Sequence, residues 1–203
     1  MNPKFYSLPQ EKQQAILNAG FHVFSQNTYK KSPMSEIADA AGISKALLFH
    51  YFLNKKELYL FLWDTCAKIT VEEMTKSGAY EQTDLFGSMD RGMQAKLRLM
   101  RRFPDIGLFA VRAFYEKDPE VSLDIQKSMG QYLAVHAKKK LQKLDPEDFV
   151  PGMDLEMMYK EMYWASEGCL YEYIQRGEMD IDAMENDFRK LVDFWKKVYL
   201  RKT

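Results

Sequence analysis

The stretch Met34 to Lys55, MSEIADAAGISKALLFHYFLNK, has the residue types and spacing by which a protein reads base edges in duplex DNA. Two short helices cross closely only where particular positions are small or apolar. Ile37 and Ala38 fall on the inner face of the first helix, and Ala38 is small enough to admit the second. Gly42 stands where the first helix must end in a left-handed turn, a conformation that a residue without Cβ adopts at no steric cost. Ile43 then plugs the turn, and Leu48 and Tyr51 return to the same interior at helical spacing. A second helix held in this way protrudes far enough to enter a major groove, where the base pairs present distinguishable edges.

No competing chemistry assembles elsewhere. His22, His50 and His136 lie far apart, with no HExxH or carboxylate-rich spacing, and Cys66 and Cys169 form no CxxC pair. The chain has neither a Gly-rich phosphate loop nor a GxSxG turn. It is therefore read as a protein that is not an enzyme and that uses no cofactor or metal. Two cysteines in apolar helical patterns, with no apolar signal segment behind the start, read as reduced thiols in a cytoplasmic protein. No run of about 18 apolar residues is present, so no membrane partner is expected.

The formal charge is zero, which argues against a general nucleic-acid coat. Its distribution is more informative. Residues 1–60 hold seven Lys (4, 12, 30, 31, 45, 55 and 56) against four acids (Glu11, Glu36, Asp39 and Glu57), an excess of +3 that the remainder balances. A modestly positive end on a neutral protein suits site-specific binding through a few phosphate contacts.

The elements that must position this reading head are helical, since no convincing alternating strand pattern occurs and the prolines fall between periodic segments. Ser7 and Gln10 suggest a capping box ahead of a first helix, whose stripe Ile16, Gly20, Val23 and Phe24 ends near Asn27. Ser32 with Pro33 suits the start of the next helix, and Asn54 with Glu57 the start of a long one reaching Lys76. Further helices are predicted over 85–102, 105–117, 119–144, 154–176 and 181–201, separated at Gly78, Asp118–Pro119, Asp145–Pro146, Pro151–Gly152 and Gly177. The fold class is thus all-α. An N-terminal three-helix DNA-binding bundle (1–53) precedes a larger helical domain (54–203). At 203 residues and 46% hydrophobic content, the chain can bury its own core.

The last predicted helix carries Ile181, Met184, Phe188, Leu191, Trp195 and Val198 in three–four spacing. Its predecessor is apolar around more than one face. A second copy of the chain, gripped through these two helices with Trp195 at the seam, is one use of that surface. Burial within a single chain is the other.

The pieces ILNAGFHVF, SEIADAAGIS and LLFHYFLNKKELYLF, between Ile16 and Leu62, resemble the tetracycline-repressor family of bacterial transcription regulators. The rest resembles the family in length and helix order. The resemblance implies a recognition helix over Ser44 to Tyr51. It places Lys45 at a base-reading position, with a phosphate contact as the alternative, and Ala46 where a small residue lets the backbone approach. It assigns phosphates to His50, Tyr51 and Lys55, with core packing as the alternative for Tyr51. Where the family often has a polar residue stands Leu47, which can instead touch a thymine methyl, and where a Tyr is common stands Phe49, with no hydroxyl to offer a phosphate. Pro33 and Met34 occupy places where hydroxyl residues contact DNA, leaving Ser32 and Ser35 as local candidates. Thr28 stands where a Gly often ends the first helix, and Asn27 could serve that turn.

The resemblance further implies a homodimer on a palindromic operator and release by a small effector, expected to be apolar or aromatic. Candidate lining residues are Trp63, Met100, Phe103, Phe109, Phe114, Tyr132, His136 and Trp164, and thirteen Met suggest an adaptable interior. A repressor is the leading expectation. An effector-blind DNA-binding or partner-recruiting protein, whose larger domain serves only assembly, is the alternative, and activation is a third reading.

Overall fold

The computed structural model describes residues 3–81, 84–176 and 180–202. Its helices are α1 (Pro3–Tyr6), α2 (Gln10–Gln26), α3 (Met34–Ala40), α4 (Lys45–Tyr51), α5 (Lys55–Lys76), α6 (Leu85–Arg102), α7 (Pro104–Phe114), α8 (Ser122–Leu141), α9 (Leu155–Arg176) and α10 (Ile181–Tyr199). A 3-10 turn spans Pro146–Asp148. The one extended pairing among the described residues is the bridge of Phe149 with Leu200, so the fold is all-α. The loop expected at Gly177 lies outside the described residues.

Helix starts follow local chemistry, in places through a different group from the one expected. Asn54 Oδ1 accepts from Glu57 N at 2.8 Å, while Glu57 Oε2 accepts from Leu53 N at 2.7 Å, so α5 begins with the reciprocal cap that its sequence suggests. The Ser7–Gln10 box does not form. Ser7 Oγ donates back to Lys4 O at 2.7 Å, closing the short helix α1, and α2 starts from Pro9 without a side-chain cap. Ser32 does not cap α3 either: its buried hydroxyl donates to Thr28 O at 3.0 Å, and Pro33 takes the cap position. At the end of α2, Asn27 is extended (φ −131°) and not left-handed.

The chain packs into two compact units, Met1–Val71 with Arg102–Gly130 and Glu72–Arg101 with Gln131–Thr203. In the first, Ile16, Phe21, Phe24, Ile37, Leu48, Phe52, Leu58, Leu62 and Phe109 are all buried in one core. A Cβ at Gly20 would lie 2.7 Å from Leu62 Cδ1, so the Leu62 side chain of α5 packs onto the bare backbone of α2 there. Phe24 meets the Tyr59 ring edge-on at 4.8 Å, and Tyr59 meets Phe109 of α7 at 5.2 Å. Asp105, in the first turn of α7, accepts from Ser25 Oγ at 3.1 Å and stands 3.1 Å from His22 Nδ1, which ties α7 along α2.

The second unit is built on Leu85, Phe86, Phe149, Met158, Met162, Phe188, Val192 and Trp195. Asp180 caps α10 by accepting from Asp182 N and Ala183 N. Arg101 Nη2 then joins α6 to α10 through Asp182 Oδ1 at 2.6 Å and Glu185 Oε2 at 2.7 Å. Trp195, expected at a partner seam, is instead 0% exposed within its own chain. Met184, Phe188 and Val192 turn inward with it, because α6 and α9 already cover that side of α10. What α10 leaves outside is Phe194 and Val198, and α9 leaves Met157, Trp164 and Tyr171.

Candidate nucleic-acid interface

The turn between α3 and α4 is closed by backbone groups. Ile43 N donates to Ala38 O at 3.0 Å and Gly42 N to Asp39 O at 3.1 Å, the paired bonds of a Schellman ending. Gly42 has φ +67°, the left-handed conformation that its position in the sequence requires. Three residues later α4 begins: Ser44 is its N-cap and its Oγ accepts from Leu47 N at 3.1 Å. Beneath the turn, Ile37, Ala38 and Leu48 are fully buried, and partly buried Ile43 and Tyr51 pack against them.

At about 100° per residue, burying Leu48 and Phe52 forces the opposite side of α4 into solvent. That side is centred on Ala46 and His50, with Leu47 on one flank and Phe49 on the other, and all four are exposed together with Lys45. Lys45 Nζ sits 5.9 Å from the Phe49 ring centroid, so its charge lies beside an apolar flank. Ser44 is also exposed, Ser35 at the start of α3 is half-buried, and Tyr51 is half-buried with its ring 5.6 Å from His50.

Two expected DNA contacts have partners within the chain. Ser32 is wholly buried, as described above. Lys55 is half-buried, and its Nζ donates to Tyr29 O at 2.8 Å and Lys30 O at 3.4 Å while lying 4.4 Å from the Tyr29 ring centroid. It fastens the loop that precedes α3. Glu116 Oε2 grips the same loop by accepting from Tyr29 N at 2.8 Å, a clamp separated by 87 residues that no local pattern reveals.

The eight candidate effector contacts divide between the units. In the first, Phe109 is 0% exposed and packs on Phe21, Phe24 and Tyr59, which consume its surface. Trp63 is buried and its Nε1 donates to Ser128 Oγ at 3.3 Å. Phe114 is half-buried against the same core, and Phe103 lies at the surface with the Arg102 guanidinium 5.0 Å from its ring centroid. In the second unit Met100 is half-buried, and Trp164 stands out at 53% exposure with Lys160 Nζ 4.9 Å from its ring centroid.

Tyr132 and His136 do come together, their rings 4.1 Å apart. Tyr80, which sequence reasoning missed, completes the group by stacking on His136 at 5.0 Å and sharing a 2.8 Å hydroxyl hydrogen bond with Tyr132. Met74 Sδ accepts from this pair, 3.5 Å from the Tyr80 hydroxyl. Burial first, and the nearby Lys139 charge second, hold the His136 imidazole below its ordinary range, and burial raises the Tyr132 hydroxyl above its own. Two depressions, of about 560 Å³ by Lys138, Leu141, Gln142 and Glu156 and about 470 Å³ along the start of α2, open to the surface, and none of the eight candidates lines them. No group of three or more metal-ligating side chains occurs among the described residues, and no helix there is long and apolar enough to cross a membrane.

Residues 16–61, from the middle of α2 into α5, match the model of the family described as bacterial regulatory proteins, tetR family. The chain is similar to the HTH-type transcriptional activator FasR of Mycolicibacterium smegmatis, with 44% identity over 50 residues, covering 25% of this chain and 23% of that relative. The matched stretch thus spans about a quarter of that relative's length, and the family match over 16–61 holds the whole α3–turn–α4 arrangement. Over nearly the full chain the fold matches a TetR family transcriptional regulator from Chloroflexus aurantiacus J-10-FL, with TM-score 0.71, 18% identity and 98% of both chains covered. It also matches SmeT, the repressor of the Stenotrophomonas maltophilia multidrug efflux pump SmeDEF, with TM-score 0.73, 13% identity, and 95% of this chain and 94% of that one covered. Residues 16–61 thus carry the helix-turn-helix pattern of the TetR family of bacterial regulatory proteins, and the chain as a whole shares the fold of solved TetR family regulators.

Proposed function

We propose that this protein is a ligand-responsive transcription regulator that binds a palindromic DNA operator as a homodimer, with repression as its action. The observation that carries the DNA half is the outward face of α4: Lys45, Ala46, Leu47, Phe49 and His50 stand clear of a head whose opposite side is fully buried. Ser35, Ser44 and Tyr51 are assigned to the phosphates, as is Lys55 on exchanging its carbonyl partners Tyr29 O and Lys30 O for one, while Ser32, being buried, is left out. In functional terms residues 1–53 are the DNA-binding domain and 54–203 the effector and dimerisation domain. The relatives include an activator and the neighbours a repressor, so the sign of regulation is a separate measurement.

Dimerisation is assigned to the outer faces of α9 and α10, where Met157, Trp164, Tyr171, Phe194 and Val198 leave apolar surface that their own chain does not cover. For the effector, the Tyr80–Tyr132–His136 group with Met74 combines aromatic surface with hydroxyl and imidazole groups, the composition of a small-molecule site. Effector binding would act on the head through α5, whose residues belong to both units, with a coupling of about 1 to 3 kcal/mol. A second reading, an effector-blind DNA-binding protein, accords with Phe109 and Trp63, two of the expected lining residues, being buried in the core of their own unit.

Selection of bound sequences from a random DNA pool tests the reading. A symmetric consensus with half-sites about one helical turn apart, bound by a species of twice the chain mass, is the expected result. Failure to enrich any sequence overturns it. A thermal-shift screen followed by operator release separates the two readings of the larger domain.

A further inference from the structure

We infer that Leu47 and Phe49 read thymine methyl groups, so that each operator half-site carries two thymines at fixed positions facing the two flanks of α4. This deepens the DNA-binding reading and rests on it. The exposed face of the helix has few polar groups suited to base edges. Ser44 Oγ already accepts from Leu47 N as the helix cap, Ala46 has no polar atom, and Lys45 and His50 alone among the outward side chains end in nitrogen. Leu47 and Phe49 are each 37% exposed, an unusual use of large apolar side chains on a short helix whose interior is already complete with Leu48 and Phe52 at 0%.

In a major groove the feature that rewards apolar contact is the thymine 5-methyl group, whereas the donor and acceptor edges of the other bases would lose water against a Leu or Phe without gaining a hydrogen bond. Leu47 and Phe49 lie about 160° apart around the helix, two steps of about 100° taken the short way round. They cannot touch the same methyl group. Ala46 lies between them on the outward side and lets the helix seat deeply enough for both flanks to reach base edges, while Lys45, next to Phe49, supplies the one long cation for a guanine or a phosphate.

The test replaces each thymine of a selected operator, one at a time, by deoxyuridine, which keeps every hydrogen-bonding edge and removes only the methyl. Binding of the full-length chain is followed by fluorescence anisotropy. Two positions per half-site are expected to lose about four-fold in affinity each, the worth of one buried methyl group, with the others silent. In Leu47→Ala the loss at one of these positions should vanish, and in Phe49→Ala the loss at the other. Both side chains are surface groups, and the uracil series on the parent chain needs no variant. Uracil that is silent everywhere, a half-site without thymine on either strand, or unchanged uracil sensitivity in both variants would overturn the inference while leaving DNA binding intact. A pool from which no sequence is enriched would remove the underlying regulator reading as well.

Discussion

Replacing Phe194 by alanine tests the proposed dimer face against the neighbouring residue that the helical stripe favours. Phe194 is 56% exposed while Trp195, the next residue, is 0% exposed. An aromatic side chain of about 200 Å² in that state leaves on the order of 110 Å² uncovered, worth about 2.8 kcal/mol at about 25 cal/mol per Å² if a partner covers it. A two-fold pair makes the contact twice, about 5.5 kcal/mol; alanine keeps its Cβ, so the loss falls to about 4 kcal/mol, a loosening on the order of 10³-fold. Sedimentation equilibrium from nanomolar to micromolar chain concentration should show Phe194→Ala dissociating where the parent is dimeric, with thermal unfolding of the monomer preserved. Trp195→Ala should behave in the opposite way. Deleting a buried Trp costs about 3 to 5 kcal/mol, which at about 2 to 4 °C per kcal/mol lowers Tm by roughly 6 to 20 °C. A Phe194→Ala chain that dimerises as tightly as the parent would remove the outer face of α10 from the interface, and a Trp195→Ala chain with an unchanged Tm would refute the inward packing.

Gly42→Ala should cost about 1 to 2 kcal/mol, because φ +67° is disfavoured for a residue with Cβ while nothing lies within 4 Å of the added atom; an unchanged Tm would contradict the left-handed turn. Lys55→Ala should lower Tm by releasing Tyr29 O and Lys30 O, and should also flatten the salt dependence of operator binding by about one unit of slope. A Tm change alone would make Lys55 a loop clamp and not a phosphate contact. Lys45→Ala should cost about 1 to 3 kcal/mol on the operator and relax one base preference, and equal losses on random DNA would reassign it to the backbone. For His136, the folded state binds a proton less readily than the unfolded chain, whose imidazole titrates near 6.5, so stability is complete above that pH and declines as pH falls below it. His136→Gln should remove this part of the acid-side decline in urea midpoints between pH 8 and 5; parallel declines in parent and variant would dismiss it.

The parts of this molecule legible in the sequence are those whose geometry is decided within a few residues. Gly42 and Ile43 dictate a turn through steric freedom and one apolar plug, and the bonds to Ala38 O and Asp39 O realise it. Asn54 and Glu57 cap α5 through groups three residues apart. Where a local signal had a rival partner nearby, the reading went astray. Ser7 and Ser32 were each suited to open a helix, yet each hydroxyl found a carbonyl in the preceding turn, Lys4 O and Thr28 O, and a proline took over the helix start.

What was not legible depends on which side of a helix the rest of the chain covers. The three–four spacing of α10 marks an apolar stripe but not whether a neighbouring helix or a second copy meets it, and Phe194 and Trp195 differ by only about 100° around the axis. Packing from α6 and α9 settles the choice through Phe86, Met158 and Met162, none of which is adjacent in sequence to α10. The same holds for the effector candidates. Phe109 satisfies every compositional test for a pocket wall, but Phe21, Phe24 and Tyr59 enclose it, whereas Tyr80, in a loop with no periodicity to single it out, is the residue that joins Tyr132 and His136. The reading face of α4 escapes this difficulty because its burial is decided by its own immediate neighbours. Once Leu48 and Phe52 are inside, Lys45, Ala46 and His50 have nowhere to go but out, and the proposed thymine contacts of Leu47 and Phe49 start from that exposure.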